Sequence, residues 1–172
     1  MTTHSDWTSP APRLDIPRLI GAIVLCQVAG AIGGVATASS VKSWYAPLRK
    51  ASLNPPPWVF GPVWTILYAL MGISLYRASR ARAAGPAGAA PGALQPFFLQ
   101  LSLNAAWSFV FFGARRPFEA LITLVALLAA ILATIRSFAR LDRAAAWLLV
   151  PYAAWVTFAG YLNASVWWLN RD

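Results

Sequence analysis

The chain has 172 residues, of which 59% are hydrophobic and 11% charged, and its mean hydropathy is +0.58. A soluble domain carries about 25% charged residues, so the composition excludes a disordered chain and a conventional cytosolic enzyme, and the lone Cys26 excludes a disulfide-stapled secreted fold. The net charge of +9 sits in small groups at the edges of apolar segments, the pattern of residues facing anionic headgroups and not the single basic stripe of a nucleic-acid binder.

Residues 1–15 contain Asp6, Pro10, Pro12 and Asp15 and read as a flexible tail, since a signal peptide would carry a basic start and a shorter apolar run. The first apolar segment runs from Ile16 to Ser40, with Arg18 placed to snorkel to the interface. It holds Gly30 and Gly34 as a GxxxG, repeated one residue earlier by Ala29 and Gly33. Such small residues let backbones approach closely, first within the chain and second across a dimer face. Residues 41–57 form a connection with Trp44, Tyr45 and Pro55-Pro56-Pro57, whose prolines fix an extended polyproline stretch. Its aromatics suit the membrane interface or a lid over something beneath.

The second segment, Trp58 to Ala78, carries Trp64 and Tyr68 four residues apart, with Thr65 beside them. Arg80 to Pro91 is rich in Ala, Gly and Pro and reads as a flexible linker. The third segment, Pro96 to Gly113, places Gln100, Asn104 and Trp107 on one helix face. The fourth runs from Phe118 to Phe138 and contains Ala126, Ala130 and Ala133. The fifth, Ala144 to Leu169, repeats the facial spacing with Tyr152, Trp155, Ala159 and then Asn163.

Each segment approaches the roughly 20 residues needed to span a bilayer as helix. None alternates with period two, which excludes a barrel. The expected fold is an all-α integral membrane protein, a five-transmembrane-helix bundle over residues 16–170, with 41–57 as its lid loop. Short final connections make the third, fourth and fifth spans antiparallel neighbours. The side of the N-terminus collects eight Lys/Arg against six opposite, which favours a cytoplasmic N-terminus.

No acidic or basic side chain stands near a span midpoint, which argues against a proton-coupled pump or a channel with charged rings. The polar stripes have two readings: hydrogen-bonded glue between helices, or the fixing points of a small-molecule pocket. Trp44, Trp58, Trp147, Trp167 and Trp168 stand at span ends, where tryptophan usually forms the interfacial belt. Trp64, Trp107 and Trp155 lie a turn or more inside, and three such aromatics with neutral polar neighbours suit a large, flat, mostly apolar ligand. No catalytic set is apparent. The only histidine, His4, is in the tail, no metal site can be built around one cysteine, and there is no Gly-rich phosphate loop.

Three stretches carry a resemblance. Trp44-Tyr45 followed by Asn54-Pro55-Pro56-Pro57-Trp58-Val59-Phe60-Gly61-Pro62-Val63-Trp64-Thr65-Ile66-Leu67-Tyr68 resembles the signature of the TspO/MBR family of tryptophan-rich sensory and translocator proteins. The runs Gln100 to Ser108 and Val150 to Ala159, and Tyr161-Leu162-Asn163, are similar to the same family, in order and with matching spacing. The resemblance implies a five-helix bundle, usually a homodimer, enclosing a cavity capped by the first loop. It implies binding of protoporphyrin IX or a related tetrapyrrole, with no cofactor required, in a sensory, regulatory or stress role. The alternatives it carries are a light-dependent porphyrin-degrading enzyme, with Trp64 and Trp155 in the chemistry, and a transporter of porphyrins or sterol-like molecules.

By the resemblance, Trp64, Thr65, Tyr68, Gln100, Asn104, Trp107, Tyr152, Trp155 and Ala159 would meet the ligand, and Trp44, Tyr45, Pro56 and Trp58 would belong to the lid. Ala51 and Leu53 depart from the family pattern in the lid. Ala164 and Trp168 depart from its proposed sterol motif, so a sterol is not favoured. The expected partners are the bilayer, a porphyrin-type molecule and a second copy of the chain, with no nucleic acid. The Ala/Arg-rich bias fits a bacterial membrane.

Overall fold

The computed structural model describes residues 14–85 and 91–171. All of the expected tail except Leu14 and Asp15, and residues 86–90 of the expected linker, lie outside the described residues. The helices are α1 (Ile16–Ser40), α2 (Pro57–Ala84), α3 (Gln95–Ser108), α4 (Pro117–Ala139), α5 (Arg143–Trp147) and α6 (Val150–Leu169). Two π-helical turns, Val41–Tyr45 and Phe109–Gly113, extend α1 and α3. Five stretches are long and apolar enough to cross a membrane, the fifth being α5 and α6 together.

Proline marks where the helices begin. Pro17, Pro57, Pro96, Pro117 and Pro151 each occupy the first or second position of α1, α2, α3, α4 and α6. There the missing N–H costs nothing and the fixed φ suits the helix. Asp15 caps α1 by accepting from the Arg18 amide at 3.2 Å. Asp142 caps α5 by accepting from the amides of Ala144 and Ala145 at 2.8 and 3.2 Å. Its second oxygen meets Arg77 at 2.9 Å, tying α5 to α2. Pro56 holds φ −57° and ψ 145°, the polyproline geometry expected of the triple-proline run.

Two sequence-based boundaries need correction. Helix α2 does not end at Ala78 but continues to Ala84, so Arg80 to Ala84 are helical and not linker. Ala and Arg are strong helix formers, and the helix stops only at Gly85, whose φ of −79° and ψ of 171° are extended. The fifth span is not one helix. It breaks at Leu148 and Leu149, because Pro151 has no N–H to return to the carbonyl of Trp147.

The helices close into a ring. Helix α1 packs on α2 and α3, α3 on α4, α4 on α5 and α6, and α5 returns to α2. The third, fourth and fifth spans are therefore neighbours, as the short connections imply. Backbones meet most closely at Gly72, where an added Cβ would stand 2.5 Å from the Cα of Ile23. The small residues of α1 divide by direction: Gly30 abuts the ring of Tyr68 and Gly33 faces Ser108, while Gly34 faces open space. The outer side of α1 exposes Ile20, Val24, Val28, Ile32 and Val35, an apolar face suited to lipid. Cys26, Met71, Phe97, Leu127, Ile131, Phe138 and Tyr152 fill the interior, with Phe97 and Phe138 stacked at 5.8 Å.

Candidate functional site

Helices α2, α3 and α6 bring the expected residues to one place inside the ring. At its centre is a three-residue bridge. The Tyr68 hydroxyl donates to Oδ1 of Asn104, and Nδ2 of Asn104 donates to the Tyr152 hydroxyl at 2.8 Å. All three side chains are buried, so the bridge satisfies groups that would otherwise be costly in a medium without water.

Both α3 and α6 run toward the end of the bundle that carries the 41–57 loop, which fixes what lies on either side of the bridge. On the lid side, Trp64 stacks on Tyr68 at 5.6 Å and meets Tyr152 edge-on at 6.3 Å. One turn beyond Tyr152, Trp155 meets Phe60 at 5.9 Å. On the far side, one turn before Asn104, stands Gln100, completely buried. Among the described residues, the buried side-chain nitrogen and oxygen atoms without a hydrogen-bond partner are Nε2 and Oε1 of Gln100 and Nε1 of Trp155. A native interior leaves few such groups open, and each calls for a physical reason.

Trp107 differs from the other two interior tryptophans in having a partner. Its Nε1 donates to Oδ1 of Asn163 at 3.1 Å, and Nδ2 of Asn163 donates to the Pro117 carbonyl at 2.6 Å. That pair joins α3, α6 and the start of α4. Ala159 is buried on the same side of α6 as Tyr152 and Val156. Thr65 is not brought into the group. It is exposed, and its hydroxyl donates back to the Gly61 carbonyl at 2.9 Å, while its own carbonyl accepts from Gln27 at 3.0 Å. Neighbours on a helix point about 100° apart, so Trp64 facing inward turns Thr65 out.

The lid residues also divide. Trp44 and Tyr45, in the first π turn, pack against the second: Trp44 on Phe111 at 5.5 Å, and Tyr45 on Phe111 at 6.0 Å and on Phe112 at 5.7 Å. Trp107 stacks on Phe111 at 5.6 Å, so the lid's aromatic dock continues into the helix that carries Gln100 and Asn104. Within the lid, the Tyr45 hydroxyl donates to Oδ1 of Asn54 at 3.0 Å. Lys50 donates to the carbonyls of Ala46 and Leu48 at 2.7 and 2.9 Å and stands 4.8 Å over the Tyr45 ring. Burial pushes the Tyr45 phenol above its ordinary pKa and the Lys50 ammonium below its own. Pro56 is exposed and Trp58 is 75% exposed, so neither covers the interior.

Phe60, Asn163 and Gly30 belong to this site although the list of ligand contacts read from sequence omits them. Asn163 had a visible signal, since it continues the Tyr152, Trp155, Ala159 stripe by one turn. Gly30 had a signal only as a packing residue in its GxxxG; the approach of the Tyr68 ring shows what it packs against. Among the described residues no group of three His, Cys, Asp or Glu gathers as a metal site. The interior offers aromatic faces and neutral donors and acceptors, which can hold a flat molecule by stacking and fix its orientation by hydrogen bonds.

A family model described as the TspO/MBR family matches residues 22–169. The chain is 38% identical to the tryptophan-rich protein TspO of Archaeoglobus fulgidus over 91% of its own length and 99% of that relative. It is 40% identical to the tryptophan-rich protein TspO of Chlorobaculum tepidum, covering 86% of this chain and 92% of the other. With the human translocator protein the identity is 41%, over 72% of this chain and 73% of the relative.

Proposed function

The chain belongs to the TspO/MBR family as a multi-pass membrane protein, and we propose that it binds protoporphyrin IX or a related tetrapyrrole inside its bundle in a sensory or regulatory role. The observation that carries this reading is the pair of open hydrogen-bonding groups, Gln100 and Trp155, flanking an aromatic-lined bridge of Tyr68, Asn104 and Tyr152. Leaving an amide and an indole N–H unpaired in an apolar interior is unfavourable by itself. A ligand bearing polar groups on a flat apolar frame would relieve that cost, with Trp64 and Trp155 stacking on the frame. A second copy of the chain and the lipid bilayer are the macromolecular partners in this reading, and a bacterial membrane is its setting.

The test is titration of the detergent-purified protein with protoporphyrin IX in the dark, following tryptophan quenching and the porphyrin absorption band. Saturable binding weakened by Trp64→Ala and Asn104→Ala supports the site; linear quenching untouched by either substitution signals partition into detergent and rejects it.

A second reading, light-driven conversion of the bound porphyrin, is favoured by the continuous ring contacts Trp64–Tyr68 and Trp64–Tyr152, with Trp155 on Phe60 beside them. These are side chains through which an electron could pass to an excited ligand. It predicts a change in the porphyrin spectrum on illumination that Trp64→Phe and Trp155→Phe each slow. An unchanged spectrum, or rates unaffected by both substitutions, rejects it.

A further inference from the structure

The 41–57 loop is tied to the bundle at a second point, at the edge of its aromatic dock. The side-chain amide of Asn170, the residue that ends α6, pairs with the backbone of Arg49 in both directions. Oδ1 accepts from the Arg49 N–H at 3.0 Å, and Nδ2 donates to the Arg49 carbonyl at 3.0 Å. The same Nδ2 also donates to the Val166 carbonyl at 2.8 Å, which fixes the amide's orientation on the helix end. Two residues 121 positions apart are thus joined by a bridge of the kind that links two strands, with one side chain standing in for a strand.

Its position gives the bridge leverage. Arg49 lies between the docked segment, Trp44 to Leu48, and the turn stabilised by the Asn54 amide donating to the Ala51 carbonyl at 3.1 Å. Asn170 ends the helix that carries Tyr152, Trp155, Ala159 and Asn163. The aromatic dock holds one half of the lid on α3, and the Asn170 bridge holds its midpoint on α6. Ring contacts of this kind are soft in angle, whereas the amide bridge is directional. We propose that Asn170 is a clasp that sets how often the lid lifts from the bundle, and therefore how often the interior is reached from that end. Arg49 contributes only its backbone, so its guanidinium plays no part in the clasp.

The test uses the full-length protein in detergent with Cys26→Ala to remove the native thiol and Leu48→Cys as reporter, since Leu48 packs in the aromatic dock. The rate of maleimide labelling at position 48 then reports undocking, with no ligand needed, so its result is independent of what the protein binds. Asn170→Ala is expected to raise the labelling rate on the order of tenfold, as the loss of two ordinary hydrogen bonds would. Asn170→Asp, which keeps the acceptor and loses the donor, is expected to fall between. Arg49→Ala is expected to leave the rate unchanged. A labelling rate that is the same in Asn170→Ala as in the parent, or that Arg49→Ala raises equally, overturns the proposal.

Discussion

Gln100 and Asn104 stand one turn apart on the same helix face, share a functional group and are both buried, yet their states are opposite. Asn104 has its acceptor and one donor engaged by tyrosines, and Gln100 has neither. Removing the two side chains should therefore act with opposite sign. Gln100→Leu replaces an unpaired amide by apolar volume and should raise the stability of the empty protein by about 1 kcal/mol or more, read by unfolding in mixed detergent micelles. Asn104→Ala should lower stability by about 1–2 kcal/mol, because it strands the hydroxyls of Tyr68 and Tyr152. The sequence placed both residues on an inward face but held no sign of the difference. That depends on how far two tyrosines from other helices reach. Thr65 shows the converse: it adjoins Trp64 in the most recognisable motif of the chain, and helix geometry alone turns it outward.

Among the elements, the five spans were legible because hydropathy integrates over some twenty residues, while their ends were set by single residues. Ser79 to Ala84 extend α2 by local helix preference, and Pro151 interrupts the last span by withholding one N–H. Neither event changes the mean hydropathy that announces a span. The small residues of α1 were legible as packing residues, but their directions were not, and Gly72 of α2 stood in no small-residue motif. Gly72→Ala should cost about 1–3 kcal/mol, because the added carbon meets the Ile23 backbone, which cannot move without parting α1 from α2. Gly34→Ala should change monomer stability by less than about 1 kcal/mol and in the favourable direction, since its Cβ would enter open space. The proposed pairing with a second copy would use the outer face of α1: cross-linking in membranes should then give a dimer band that Gly34→Leu abolishes, and a band as strong in Gly34→Leu as in the parent would remove that face from consideration. The 41–57 connection was legible as an aromatic, proline-rich segment at the bundle's end. Its fastening was not, since the pairing of Arg49 with Asn170 joins residues 121 apart through one side chain.

Taken whole, the molecule is a ring of helices whose outside suits lipid and whose inside is aromatic, neutral and, at Gln100 and Trp155, incompletely paired. The basic residues gather at the span ends, and their imbalance predicts that the N-terminus faces the cytoplasm. Reporter fusions at the two termini should therefore report opposite sides of the membrane, as an odd number of spans requires. In the proposed function, the open amide of Gln100 is kept for a bound tetrapyrrole. The most direct measurement is a dark titration of the protein and of Gln100→Leu with protoporphyrin IX, each shown to be folded by circular dichroism. Saturable binding to the parent that weakens about tenfold or more in Gln100→Leu, the worth of a buried hydrogen bond or two, is the predicted result. Equal affinity in the two proteins would contradict it.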